Sequence, residues 1–174
     1  MLVNLSDVLT TTGKVENTTA ALEMTEFTSK LGSFSIKEKS PVEFTFTNIG
    51  VNKAKVEGSV TLTFETACDR CLEEVPTVLN LMFDRVVTSP DVTTEEEDDE
   101  RPDYMEGYQL NVETFVYNEI LINWPVKILC KESCKGVCLK CGQNLNIGEC
   151  GCDTFVPDPR MAVLKDIFNA NKEV

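Results

Sequence analysis

The chain has 174 residues, 42% of them hydrophobic, with 29 acids against 16 lysines and arginines, no histidine, and a net charge of −13. That length suits one domain, or one domain with a small appendage, and the apolar content is enough for a sizeable core. The lack of histidine excludes every Ser-His or Cys-His nucleophile pair and removes imidazole as a metal ligand, while the acidic balance argues against tight binding to naked nucleic acid.

The opening MLVNLSDVLTTTGKV has neither the basic start nor the apolar run of a signal peptide. No stretch approaches the ~18 apolar residues of a membrane span. A cytoplasmic protein is expected, with no membrane partner and no small-molecule substrate.

The first thirty or so residues are polar and threonine-rich, with weak periodicity. From Ser33 the pattern changes: Val42, Phe44 and Phe46 alternate with Glu43, Thr45 and Thr47, as in a half-buried strand. Val56, Val60, Leu62 and Phe64 then share one face of a second strand, interrupted by Gly58, which marks either a bulge or a close backbone approach. Leu79, Leu81 and Phe83 line a third, ending near Val87. The last two flank Cys68-Asp-Arg-Cys71 and predict an antiparallel hairpin with the cysteine pair near its tip.

Between Asp91 and Glu106 lie nine acids and one base. The run Glu95–Glu100 predicts a solvated loop; the sharper alternative is a strap that binds a basic partner or competes with nucleic acid. Tyr108–Leu110 suits a short strand. Asn111 suits an N-cap for a helix over Val112–Asn123, which Trp124-Pro125 ends, because a residue before proline avoids the α region. Glu119, three and four positions from Val116 and Phe115, is expected to snorkel from the helix edge, the alternative being a buried acid with a partner. Beyond the cysteines, Asp158-Pro159 starts a helix on which Met161, Leu164 and Phe168 recur at helical spacing. These elements predict an α+β fold. An antiparallel sheet or partial barrel with a packed helix occupies 1–124, including the acidic loop 91–106. A cysteine-rich, zinc-ribbon-like segment and a C-terminal helix fill 125–174.

Eight cysteines carry the chemistry. They run Cys68-x2-Cys71, then Cys130-x3-Cys134-x3-Cys138-x2-Cys141-x8-Cys150-x-Cys152. In a reducing compartment such short spacings point to metal rather than disulfides. Without imidazole, a tetrahedral zinc must take four thiolates at about 2.3 Å. Cys138-Leu-Lys-Cys141-Gly142 has the glycine that lets a turn curl back and aim its N–H groups at the sulfurs, and Cys150-Gly-Cys152 supplies two more donors. Cys68, Cys71, Cys130 and Cys134 are left for a second site, although an exchange such as Cys68/Cys71 with Cys138/Cys141 stays open. Eight thiolates for two Zn²⁺ leave no ligand position to water, which suits structural rather than catalytic metal. A thiol–disulfide role fits poorly, because no βαβ pattern surrounds Cys68–Cys71. Arg70 between those cysteines is either an offset to thiolate charge or an ordinary surface arginine. Lys127, Lys131, Lys135 and Lys140 around the segment can hold phosphate but make a weaker signal than a nucleic-acid stripe.

The pattern Cys68-Asp-Arg70-Cys71-Leu72, Trp124-Pro125-Val126, the cysteine string through Gly136, Gly142, Asn144, Leu145 and Asn146 to Cys150-Gly-Cys152, and the tail Asp158-Pro159-Arg160-Met-Ala162-Val-Leu164 resembles the bacterial and plastid YceD family of large ribosomal RNA subunit accumulation proteins. The resemblance implies a part in synthesis, processing or stability of 23S ribosomal RNA. It implies no catalytic residue and makes the Cys138–Cys152 ribbon an accessory to stability or partner contact. The expected function is that of a non-catalytic ribosome-biogenesis factor acting on precursor rRNA, a ribosomal protein or an assembly protein. The alternatives are a metal-dependent RNA-processing hydrolase, and a zinc-stabilised protein-interaction module unrelated to ribosomes.

Overall fold

A computed structural model describes residues 1–91 and 102–152. A short strand β1 (Leu2–Asn4) leads into a five-residue helix α1 (Ser6–Thr10), and Asn4 ties the entry to it: its Oδ1 accepts from the Ser6 N–H at 2.9 Å and the Ser6 hydroxyl at 2.6 Å. Strands β2 (Val15–Ala20), β3 (Glu26–Ser29), β4 (Gly32–Lys39) and β5 (Val42–Gly50) follow. The polar opening that suggested no element thus supplies three strands and a helix, and leads into a fourth strand at Gly32. Five residues are too few to display a helical period, and β2 carries threonines where an apolar face would announce a strand.

The two longest strands, β6 (Lys53–Ala67) and β7 (Glu74–Thr88), pair along their whole length from Lys53↔Thr88 to Ala67↔Glu74. The hairpin expected around Cys68–Cys71 is therefore the spine of the molecule. One edge of β6 is shared: its first half pairs with β5 and its second half with β4, while β7 covers the other edge. The sheet order is β2-β5-β6-β4-β3, with β7 beside β6. Strands β8 (Met105–Glu106) and β9 (Gln109–Asn111) join β1 in a three-stranded sheet, ordered β1-β9-β8. Among the described residues every strand pairing is antiparallel.

Gly58 sits just before β6 passes from β5 to β4. Its register partners are Phe44 and Phe83, whose ring centroids lie 5.3 Å apart. A Cβ here would stand 1.9 Å from the Glu43 carbonyl oxygen, so the close-approach reading holds.

The helix α2 (Val112–Asn123) begins at Asn111, whose side chain accepts from the Thr114 N–H at 3.3 Å. It ends at Trp124, whose extended backbone (φ −60, ψ 130) is the one Pro125 demands. Val112, Phe115, Val116 and Ile120 face the sheet, and the Trp124 ring closes over Phe27, Phe34 and Phe64 at 5.1, 4.6 and 5.1 Å.

Glu119 is not an edge residue. Its side chain is 3% exposed, and both carboxylate oxygens accept from the Arg85 guanidinium on β7, at 2.7 and 3.1 Å. A buried carboxylate persists only with such a partner. Asn48 is the other buried polar anchor: its amide donates to the Val8 carbonyl at 2.8 Å and accepts from the N–H groups of Gly13 and Gly50. No helix among the described residues is long and apolar enough to cross a membrane. The run Glu95–Glu100 and the expected helix after Asp158-Pro159 lie outside the described residues.

Candidate metal centres

The sharp turn between β6 and β7 is built by the Cys68–Cys71 segment. The Leu72 N–H donates to the Cys68 carbonyl at 2.9 Å, the Cys68 N–H to the Glu73 carbonyl at 2.8 Å, and Leu72 takes a left-handed φ of 61 to close the turn. The N–H groups so freed face sulfur. Asp69 beside it docks the incoming segment: the Asp69 N–H donates to the Ile128 carbonyl at 2.8 Å, and the Ile128 N–H donates to the Asp69 carboxylate at 2.7 Å. That pairing delivers Cys130 and Cys134 to the hairpin tip.

Four sulfurs result, all within 4.8 Å of one another: Cys68, Cys71, Cys130 and Cys134. Cys68 and Cys134 are 3.8 Å apart, Cys71 and Cys130 3.5 Å. A tetrahedron with metal–sulfur bonds of about 2.3 Å has sulfur–sulfur edges of roughly 3.8 Å, so the cage has the size of a zinc-type thiolate site. The second quartet, Cys138, Cys141, Cys150 and Cys152, meets the same 4.8 Å limit. Here the Gly142 N–H donates to the Cys138 carbonyl at 2.8 Å, and φ +74 at Gly142 permits the turn. The structure thus joins the hairpin pair to Cys130/Cys134, not to Cys138/Cys141. All eight cysteines are unbridged.

Each quartet is electrostatically divided. Burial acts to raise the Cys68 thiol, but N–H groups of Cys130, Arg70 and Cys71 prevail and bring it down to about 6. The Asn146 amide, 3.2 Å from the Cys134 sulfur, does most to lower Cys134. Against the lowering influence of the Glu73 N–H, burial and the other three sulfurs push Cys71 up to about 12, and burial raises Cys130. In the second quartet the N–H groups of Cys141 and Lys140 lower Cys138 to about 6, while the sulfurs of Cys141 and Cys150 push Cys152 up to about 12. Four thiolates so close repel one another, and some must stay protonated unless a cation sits among them. Backbone N–H groups aimed at sulfur, cages of tetrahedral size and all-thiolate donor sets together fit one divalent ion per quartet.

Arg70 is exposed, as a surface arginine is, but it also makes specific contacts. Its guanidinium donates to the Cys134 carbonyl at 2.8 Å and the Glu132 carbonyl at 3.4 Å, and its own carbonyl accepts from the Val137 N–H at 3.0 Å. It is a strut between hairpin and lobe. Gly136 lies against it, with φ +79 and space for a Cβ only 3.0 Å from the Arg70 carbonyl oxygen. The four lysines of the segment are exposed. Asn144, Asn146 and Glu73, which hold the first quartet from outside, carry no signal in the cysteine spacing and were not anticipated as site residues.

No curated protein matches this chain, and no solved structure does. The family profile described as large ribosomal RNA subunit accumulation protein YceD matches residues 56–168, which takes in all but the first three residues of the long hairpin, together with α2 and both quartets.

Proposed function

The chain belongs to the YceD family, and from that premise we propose that it supports accumulation of large-subunit (23S) ribosomal RNA as a non-catalytic cytoplasmic binding protein whose lobe is held by two Zn²⁺ ions. One observation carries the reading: eight cysteines from four separate stretches of chain converge as two quartets, each with four thiol donors. Four protein ligands complete a tetrahedral zinc and leave no position for an activated water, which is the arrangement of a structural ion. When bound, the ion supplies positive charge that lets four thiolates coexist. The residues do the rest: the Cys68–Cys71 and Cys138–Cys141 turns aim N–H groups at sulfur, and Asp69 and Arg70 fasten the lobe to the hairpin.

The net charge of −13 favours a basic protein, such as a ribosomal or assembly protein, over naked RNA as the direct contact, with association that weakens as salt rises. The test has two arms. Cells lacking the chain should accumulate less large-subunit than small-subunit rRNA, and the wild-type gene should restore the balance. Tagged chain should retain ribosomal or maturation components in low salt and release them in high salt. An unchanged rRNA ratio, together with empty pull-downs in low salt, refutes the proposal.

A further inference from the structure

The two quartets are not independent objects. The eight residues between Cys141 and Cys150 form a loop whose ends are tied by second-quartet ligands, yet its side chains and backbone reach the first quartet. The Asn146 amide nitrogen donates to the Cys134 sulfur at 3.2 Å, and its oxygen accepts from the Lys135 N–H at 2.9 Å. Asn144 orients Asn146, because its side-chain oxygen accepts from both the Asn146 N–H and the Asn146 amide at 2.9 Å. Asn144 also donates to the Glu73 carboxylate at 2.8 Å, two residues beyond Cys71 on the hairpin. The Leu145 N–H donates to the Gly136 carbonyl at 2.8 Å, and Val137 bridges Asn144. Outside the loop itself, these contacts land on the Cys134 sulfur, on Glu73 beside Cys71, and on the Lys135–Val137 link that joins Cys134 to Cys138.

An ion in the second quartet closes this loop and so removes the freedom that Asn144 and Asn146 would otherwise lose on reaching Cys134 and Glu73. Resting on the metal reading above, we propose that the two centres load cooperatively, with Asn146 as the positioning residue through which an ion in the Cys138/Cys141/Cys150/Cys152 quartet strengthens binding in the Cys68/Cys71/Cys130/Cys134 quartet. Linkage makes the effect reciprocal: an ion in the first quartet strengthens the second by the same factor. The Asn146 amide is an outer support of a thiolate ligand. Loss of such a support typically weakens metal affinity about 10- to 100-fold.

The experiment titrates the metal-free full chain with Zn²⁺ and counts ions per molecule by native mass spectrometry, with affinities set by competition against a chelator. The wild-type chain should show mainly empty and doubly loaded molecules at half-saturating Zn²⁺. In C150S/C152S the first quartet should bind its ion about 10- to 100-fold more weakly than in the doubly loaded chain. Asn146→Asp is isosteric and keeps the acceptor for Lys135, but it replaces the donor to Cys134 with an anion. It should reveal the singly loaded species and weaken the first quartet, and adding C150S/C152S should then cost little more. Asn144→Ala, which leaves all eight thiols in place, should act in the same direction, and far-UV circular dichroism checks that the β body is intact in each variant. A statistical distribution of singly loaded molecules, with first-quartet affinity unchanged in C150S/C152S, overturns the coupling while the metal reading stands. A wild-type chain that takes up no ion overturns both.

Discussion

Replacing Gly58 by alanine should be among the most damaging single changes in the β body. The added Cβ would lie 1.9 Å from the Glu43 carbonyl oxygen and 2.7 Å from the Phe83 ring. To restore even 3.0 Å the oxygen must retreat by about 1.1 Å, and it belongs to the β5 backbone rather than to a side chain that can swing away. Prising β5 from β6 there sacrifices ladder hydrogen bonds, each worth about 1 kcal/mol net. Forcing Phe83 off its contact with Phe44 adds the usual overpacking cost of about 1–3 kcal/mol. Alanine returns roughly 0.5–1 kcal/mol by restricting the unfolded chain. The balance is a loss of about 3 kcal/mol, a large share of the ~5–15 kcal/mol that holds a typical domain. With a urea slope near 2 kcal/mol/M, the unfolding midpoint should fall by about 1.5 M. Gly148→Ala is the control, since its nearest neighbour would be 3.9 Å away and its backbone is unstrained. A G58A midpoint indistinguishable from wild type would refute the claim that glycine is required for the hand-over of β6 from β5 to β4.

Arg85→Met strands the buried Glu119 carboxylate, and should lower stability by about 3 kcal/mol, the low end for breaking a buried pair because Arg85 is partly open to water; pairing it with Glu119→Leu should recover most of that in chemical denaturation. Asn48→Ala leaves the Val8 carbonyl without its partner in the interior, and should cost about 2 kcal/mol by the same assay. In the metal-free chain Cys71 and Cys130 are both raised and stay protonated at neutral pH, so their protons must leave when the first quartet binds an ion. Its affinity should therefore rise with pH, and calorimetry in buffers of different ionisation enthalpy should detect the released protons. Chelation should open residues 125–152 to protease while the β body keeps its circular dichroism, since the body's core of buried side chains is separate from the cysteine cluster.

Where the sequence was legible, the reason is periodicity or punctuation. Alternation in β5, β6 and β7, the Asn111 cap, the Trp124-Pro125 stop and the short cysteine spacings are local signals, and each is found where expected among the described residues. What escaped is long-range. Arg85 lies 34 residues from Glu119, and the clue was a cation in the inward phase of Leu81, Phe83 and Val87. Asn48 is the matching case in the phase of Val42, Phe44 and Phe46. A polar residue in an apolar phase announces a buried partner but does not name it. The elements before Ser33 escaped for another reason: β1 has three residues and α1 five, so neither is long enough to show its period, and their burial depends on strands that come later in the chain. The grouping of the cysteines into these two quartets is the leading reading of their spacing; what the spacing leaves open is the exchange with Cys138/Cys141, which is closed by Asp69 meeting Ile128, a contact with no signature in the sequence.

The division of cohesive forces follows from the same contrast. The β body buries Phe27, Phe46, Phe64, Phe115 and other large side chains completely, so burial alone can account for its order. Past Pro125 the only buried hydrophobic side chains among the described residues are Ile128, Cys134 and Cys138. Such a segment cannot fold on hydrophobic burial, and its hydrogen bonds mostly run from one loop to another. Its thiols also resist ionising together, so full ionisation of a quartet costs free energy when no cation is present. A divalent ion reverses the sign of that term at both quartets. On the metal reading proposed above, the order of residues 125–152 should depend on a bound ion, and that of the body should not. For the same reason, substitutions at the quartets and at Gly58 should fail differently: the first in the lobe of a folded protein, the second in the abundance of the protein itself.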